Sequence, residues 1–304
     1  MERKQRIDAF GATVLVAFSA LLGLNQVLVK LVNEGFAPIF QAGLRSACAF
    51  LPVLLIAIIL KRRLSISDGS LVPGLITGTF FAAEFILLFQ ALDYTTVSRA
   101  SIFFYTMPFW VALAAHFLIA GERLTPVKLA GLALAIAGVA LAMASDERPA
   151  SDKALLGDLM CLLGAMGWAA IALIARTTTL SKSAPEMQLL YQLAVSAPIM
   201  LALAFVLGET VREPTTTHYA IFAFQVLAVV SIGFLTWFWI LSIYPASDMA
   251  SFSFLAPVFG VFFGWLVFDE QLTWTILAAL TLVAIGIVLV NRKPKRADVH
   301  HRFR

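Results

Sequence analysis

Charge is the scarcest component of this chain. Only 13% of its 304 residues are Asp, Glu, Lys or Arg, while 61% are apolar. A soluble domain carries about a quarter charged residues, so there is too little charge here to surround a soluble core. Cysteine is nearly missing as well. Cys48 and Cys161 both fall inside apolar stretches and lack the spacing of a metal site. They read as small buried residues, and no metal site is expected. The motifs of membrane-embedded enzymes are absent: no HExxH, no paired aspartates within a span, no Ser/His arrangement. No catalytic residue and no cofactor is expected. There is no P-loop either, so ATP is not the direct energy source unless a partner supplies it. The net charge of +4 does not point to nucleic acid, because the basic residues sit in short loops and the C-terminal tail.

What the chain has is apolar runs, from end to end. A run of about 18 residues or more crosses a bilayer core of about 30 Å. Ten spans are predicted, at 9–32, 37–60, 71–92, 97–119, 126–144, 155–178, 185–207, 218–243, 247–267 and 273–291. The basic start, MERKQRIDAF, followed by an apolar run faintly resembles a signal peptide. The run is too long, and Lys30 near its end argues against cleavage, so it is read as the first membrane helix.

Orientation follows from Lys and Arg. With the N-terminus inside, the inner segments hold sixteen basic residues, among them Lys61, Arg62, Arg63, Arg123, Lys128, Arg176 and Lys182. The outer loops hold three, Arg148, Lys153 and Arg212. Both termini are expected in the cytoplasm.

The chain also repeats itself. Ser98 opens an apolar run with Pro108 ten residues on, and Ser247 opens another with Pro257 ten residues on. Glu-x-Leu-Thr closes each run, as Glu122–Thr125 and Glu270–Thr273, and Gly138 and Gly286 follow sixteen residues after the Glu. Gly11 matches Gly157, Lys30 matches Arg176 and Pro38 matches Pro185. Each unit holds five spans, an odd number, so the second enters the membrane in the opposite sense. Such inverted repeats mark transporters, whose halves exchange roles. The expected organisation is a first repeat over 1–144, a linker loop over 145–154, a second repeat over 155–291 and a basic cytoplasmic tail over 292–304.

The five-plus-five layout resembles the EamA-type transporters of the drug/metabolite transporter superfamily. So do the mid-helix Pro of the fourth and ninth spans, the E-x-L-T turns, the glycines of the fifth and tenth spans and the GLNQVLVK end of the first. The resemblance implies an all-α polytopic membrane protein, with ten transmembrane helices as two inverted five-helix repeats around a central cavity. It implies movement of small metabolites, with the fifth and tenth spans peripheral. The expected setting is the inner (plasma) membrane of a bacterial cell. The expected partners are a small-molecule substrate and the lipid bilayer, with no obligate protein partner evident.

Ionisable residues inside hydrocarbon cost about 2.5–3.5 kcal/mol on insertion scales, and are read first as functional. Arg45 in the second span and Glu84 in the third stand about 12 Å below the outer boundary, level with Asn25 and nearly with Tyr105. A guanidinium can grip a carboxylate with two bonds. Glu84 could hold an amine or carry a proton, and is the candidate for proton coupling. The bland alternative is a structural Arg45–Glu84 ion pair. Phe81, Trp168 and Trp237 could wall a cavity, or face lipid. Gln192 could line a path, or bond a neighbouring helix. Pro108 and Pro257 should kink their helices, as hinges or as packing devices. Lys30, Arg99 and Arg176 read as snorkelling side chains. The functional expectation is a secondary transporter working by alternating access, exporting amino acids or related small polar or amphipathic compounds. A non-transporting receptor or scaffold, or an intramembrane enzyme, remains the alternative.

Overall fold

The computed structural model describes residues 7–119, 122–144, 151–244 and 252–291. Ser247, most of the 145–154 linker, the basic N-terminal residues and the 292–304 tail lie outside these residues.

Among the described residues nine helices are long and apolar enough to cross a membrane, and a shorter apolar helix makes the tenth span. In chain order they are α1 (Ala9–Asn33), α2 (Pro38–Ile59), α3 (Leu71–Tyr94), α4 (Val97–Leu118), α5 (Pro126–Met143), α6 (Ala154–Thr177), α7 (Pro185–Leu207), α8 (216–243), α9 (Leu255–Phe268) and α10 (Trp274–Asn291). The described chain forms no β-strand; a lone bridge joins Phe36 to Val211. The chain is therefore an all-α polytopic membrane protein.

Local chemistry sets the helix starts. Pro38, Pro126 and Pro185 stand in the first turn, where a missing N–H costs nothing. Asp8 caps α1 by accepting from Gly11 N (2.9 Å), and Thr125 caps α5 by accepting from Lys128 N (3.3 Å). Gly208 ends α7 in the left-handed region (φ 70°), where a side chain would be strained.

Two spans depart from a plain helix. α4 is broken at Tyr105–Thr106 into Val97–Phe104 and Met107–Leu118, with Pro108 in the first turn of the second piece. α8 widens in its middle into a π-helix, Gln225–Gly233, and the Ser231 hydroxyl donates five residues back to the Val226 carbonyl at 2.8 Å. Apolar periodicity does not signal the π segment, which keeps the same hydrophobic run and changes only its hydrogen-bond spacing.

Contacts fix which helix ends share a side. At one end, Arg62 Nε donates to Glu186 (2.9 Å), the Thr179 hydroxyl to the Gly69 carbonyl (2.6 Å), and Arg176 pairs with Glu122. At the other, the Ser151 hydroxyl donates to the Tyr94 carbonyl (2.9 Å), Arg212 to Asp93 (2.7 Å), and Val97 N to Glu270 (2.6 Å). Arg176 and Ser151 flank the two ends of α6. Glu122 and Glu270, the matching residues of the two repeats, thus stand at opposite ends of the bundle. The second repeat runs inverted.

α5 and α10 pair with each other at the edge. A Cβ at Gly131 would meet the Gly286 carbonyl at 2.9 Å, and one at Gly286 would meet the Gly131 carbonyl at 2.7 Å. Lipid offers no hydrophobic drive for helix pairing, so close backbone contact through small residues holds such a pair. The inner helices pack α1 on α9, α2 on α7 and α3 on α6 and α7.

Candidate functional site

The interior of the bundle holds charged and polar atoms that the protein does not satisfy. Arg45 on α2 is 3% exposed and Glu84 on α3 is 4% exposed. The Arg45 guanidinium lies over two rings of α3, Phe85 (4.6 Å to the centroid) and Phe89 (4.5 Å). Ring faces attract a desolvated cation. Glu84 stands where α3 packs on α6, and a Cβ at Gly167 would sit 3.5 Å from its own. The two side chains form no direct ion pair, and Glu84 Oε2 is buried without a hydrogen-bond partner. The structural-pair alternative therefore lacks its contact.

Aromatic side chains enclose this region. Trp168 on α6 stacks on Phe104 (5.2 Å between centroids, 18° between planes), and Tyr105 meets both edge-on at 5.8 and 6.1 Å. Tyr105 sits in the break of α4. Phe81 starts a ladder on α3, with Phe81–Phe85 at 4.4 Å and Phe85–Phe89 at 5.5 Å. Glu84 and the Phe104–Tyr105–Trp168 group thus share the α3–α4–α6 interface, while Phe81 and Arg45 join them through the ring ladder of α3.

Asn25 is half-buried on α1, its Oδ1 buried and unpartnered. Its neighbour Gln26, not singled out from sequence, accepts from the Ser101 hydroxyl (3.0 Å) and leaves its Nε2 unpartnered. Gln41 and Gln225 bond each other across α2 and α8 at 3.3 Å, leaving one free acceptor and one free donor. Gln225 is the first residue of the π-helix. A glutamine inside an apolar run could have been flagged by the argument used for Asn25, since each amide needs partners that lipid cannot give.

Trp237 and Gln192 stand apart. Trp237 stacks on Phe18 at 5.1 Å, about two turns of α1 away from Asn25. Gln192 is half-buried on α7 beside Tyr191, whose hydroxyl meets that of Ser70 at 3.0 Å. Neither makes a described ring contact or hydrogen bond with the Glu84 group. Pro108 lies in the first turn after the break in α4, and Pro257 is the third residue of α9; the stretch of the ninth predicted span before residue 252 lies outside the described residues.

Arg99 and Lys30 do not snorkel. Arg99 is buried and pairs with Asp158 on α6, while its Nη1 donates to the Ala142 carbonyl (2.6 Å). The Thr95 hydroxyl also donates to Asp158 (2.8 Å). Lys30 Nζ donates to the Thr95 carbonyl at 2.6 Å. No group of three metal-ligating side chains occurs among the described residues.

An inverted bundle of ten apolar spans with unsatisfied polar atoms at its core is the build of a membrane transporter. A sequence profile of the EamA-like transporter family matches residues 9–144 and again 155–292. The chain belongs to that family, and is a transporter and not an enzyme. It is 25% identical over 278 residues to the uncharacterized transporter YoaV of Bacillus subtilis (strain 168), covering 90% of this chain and 94% of that one. It is 27% identical over 279 residues to a protein of Escherichia coli (strain K12) named probable amino-acid metabolite efflux pump, covering 88% and 90%. A solved crystal structure shares the fold, with a TM-score of 0.63 at 18% identity over 93% of this chain and 96% of that one.

Proposed function

We propose that this chain is a secondary transporter that exports amino acids or closely related amphipathic metabolites by alternating access, with repeats 1–144 and 155–291 closing in turn around a central cavity. One observation carries the reading: Arg45 and Glu84 are both buried in the bundle without a direct ion pair, and Glu84 keeps an oxygen with no donor. An isolated carboxylate in a dry interior is costly unless it takes a proton or meets a cation. In this reading Arg45 receives the substrate carboxylate by two parallel bonds. Glu84 meets the substrate ammonium or, between substrates, holds a proton. Phe81, Tyr105 and Trp168 wall the apolar part of the substrate, and the amides of Asn25 and Gln26 complete its polar contacts. The likeness to a named amino-acid metabolite efflux pump supports this substrate class.

The positive charge around residues 61–63, 123–128, 176 and 182 supports a reading in which that end and both termini face the cytoplasm of a bacterial inner membrane. Purified protein in liposomes preloaded with a panel of unlabelled amino acids should exchange the labelled counterparts. Folded protein that exchanges none of them rules out this substrate class.

A further inference from the structure

The Glu-x-Leu-Thr turn occurs in both repeats, and its two glutamates are engaged differently. Glu270, beyond the end of α9, reaches the N-terminus of α4 in the other half. Its Oε1 accepts from Val97 N at 2.6 Å, and its Oε2 accepts from Ser98 N at 2.8 Å and from the Ser98 hydroxyl at 2.6 Å. The carboxylate rests against the α9 backbone, where a Cβ at Gly264 would come within 2.5 Å of Oε2. Lys30 stands beside it, bonded to the Thr95 carbonyl and 5.6 Å above the Phe268 ring. The free N–H groups and the positive dipole end of a helix are where an anion is held best. Below this contact α4 stays close to α9: a Cβ at Gly260 would collide with the Ser101 hydroxyl at 1.9 Å. At the opposite end Glu122, among the described residues, pairs with the exposed guanidinium of Arg176, a side chain; Ser247, the counterpart of Ser98, lies outside the described residues.

We propose that Glu270 is a releasable clasp: it holds its end of the bundle shut by capping α4 across the interface between the repeats, and opening that end requires it to let go. This rests on the alternating-access reading above. A single carboxylate with three short bonds across the seam concentrates the closing energy in one place. Its release exposes the upper α4–α9 contact and the path down to Ser101 and Gln26.

The test reads accessibility and needs no substrate. In a Cys48→Ala/Cys161→Ala background, Ser101→Cys is placed one turn below the clasp, at a site that is 0% exposed. A membrane-impermeant maleimide is applied to each side of sealed vesicles. Adding Glu270→Gln should raise labelling from the 269–273 end by about tenfold or more, as expected for loss of charge-assisted bonds. It should not raise labelling from the opposite end, and Glu122→Gln should not raise it from the 269–273 end. Equal or slower labelling in folded Glu270→Gln overturns the clasp. If that variant does not fold, Ser98→Ala, which keeps both backbone bonds, should still raise labelling by about threefold, and no rise overturns the proposal. A clasp that responds in a protein exchanging no amino acid leaves the clasp and removes the proposed substrate class. A clasp that does not respond in a protein that transports does the reverse.

Discussion

Arg99 and Arg45 are both buried guanidiniums with a carboxylate on a neighbouring helix, Asp158 and Glu84, yet only the first pair is closed. Around Arg99, the carboxylate takes the guanidinium and the Thr95 hydroxyl, and the Ala142 carbonyl takes a further N–H. The network ties α4 to α5 and α6. Around Arg45 the partners are ring faces, and Glu84 keeps an oxygen with no donor. A guanidinium and a carboxylate therefore serve as a rivet in one place and as open valences in the other. Burial alone does not separate them, since all four side chains are under a tenth exposed. Completeness of the hydrogen bonding does.

The comparison breaks first on stability. Asp158→Asn leaves the Arg99 guanidinium buried without its counter-charge, which costs about 3–5 kcal/mol for such pairs. The variant should unfold at clearly lower temperature in detergent, or fail to accumulate. Glu84→Gln removes a charge that no hydrogen bond or close ion pair in the fold engages, and its unfolding temperature should fall clearly less than that of Asp158→Asn. If the two variants are destabilised alike, both pairs are structural and the contrast fails.

The next effect is on transport. Arg45→Ala should lower exchange by about tenfold or more, the loss expected when a charged bond to substrate disappears. Lys30→Ala should lower it less, because Lys30 bonds a backbone carbonyl and not the core. Equal losses would mean that any interior cation matters in the same way. Glu84→Gln should leave exchange measurable but abolish its dependence on an imposed pH gradient. Persistence of that dependence would remove Glu84 as the proton carrier.

Much of this was legible before any coordinates. Ten apolar runs and a repeat with an odd number of spans require inversion, so the opposite placement of Glu122 and Glu270 follows from counting. The cost of charge in lipid pointed to Arg45 and Glu84 at once. Arg99 and Asp158 escape the same rule, because both stand near span ends. At an edge, sequence cannot tell a snorkelling arginine from a buried one, because the answer depends on which helix passes nearby. The π-helix was hidden for a related reason: it is a change in backbone pairing, and the side chains of QVLAVVSIG suit either spacing. Gln41 and Gln225 belong to distant segments, and their pairing across α2 and α8 is a property of the packed bundle.

The smallest predicted effect separates wall from charge. Trp168 presents a ring stacked on Phe104 and edged by Tyr105, and makes no described hydrogen bond to the charged residues. Stacked aromatic pairs contribute about 0.5–1.5 kcal/mol beyond their area. Trp168→Leu keeps an apolar side chain but removes the stack. It should weaken apparent affinity about two- to tenfold for amino acids with large apolar side chains, and change glycine or alanine exchange little. Its pH-gradient dependence should match the unsubstituted protein, because Glu84 is untouched. A uniform loss across all substrates would place Trp168 among the parts that hold α4 to α6, together with Arg99 and Asp158, and shrink the open site to the ladder beneath Arg45.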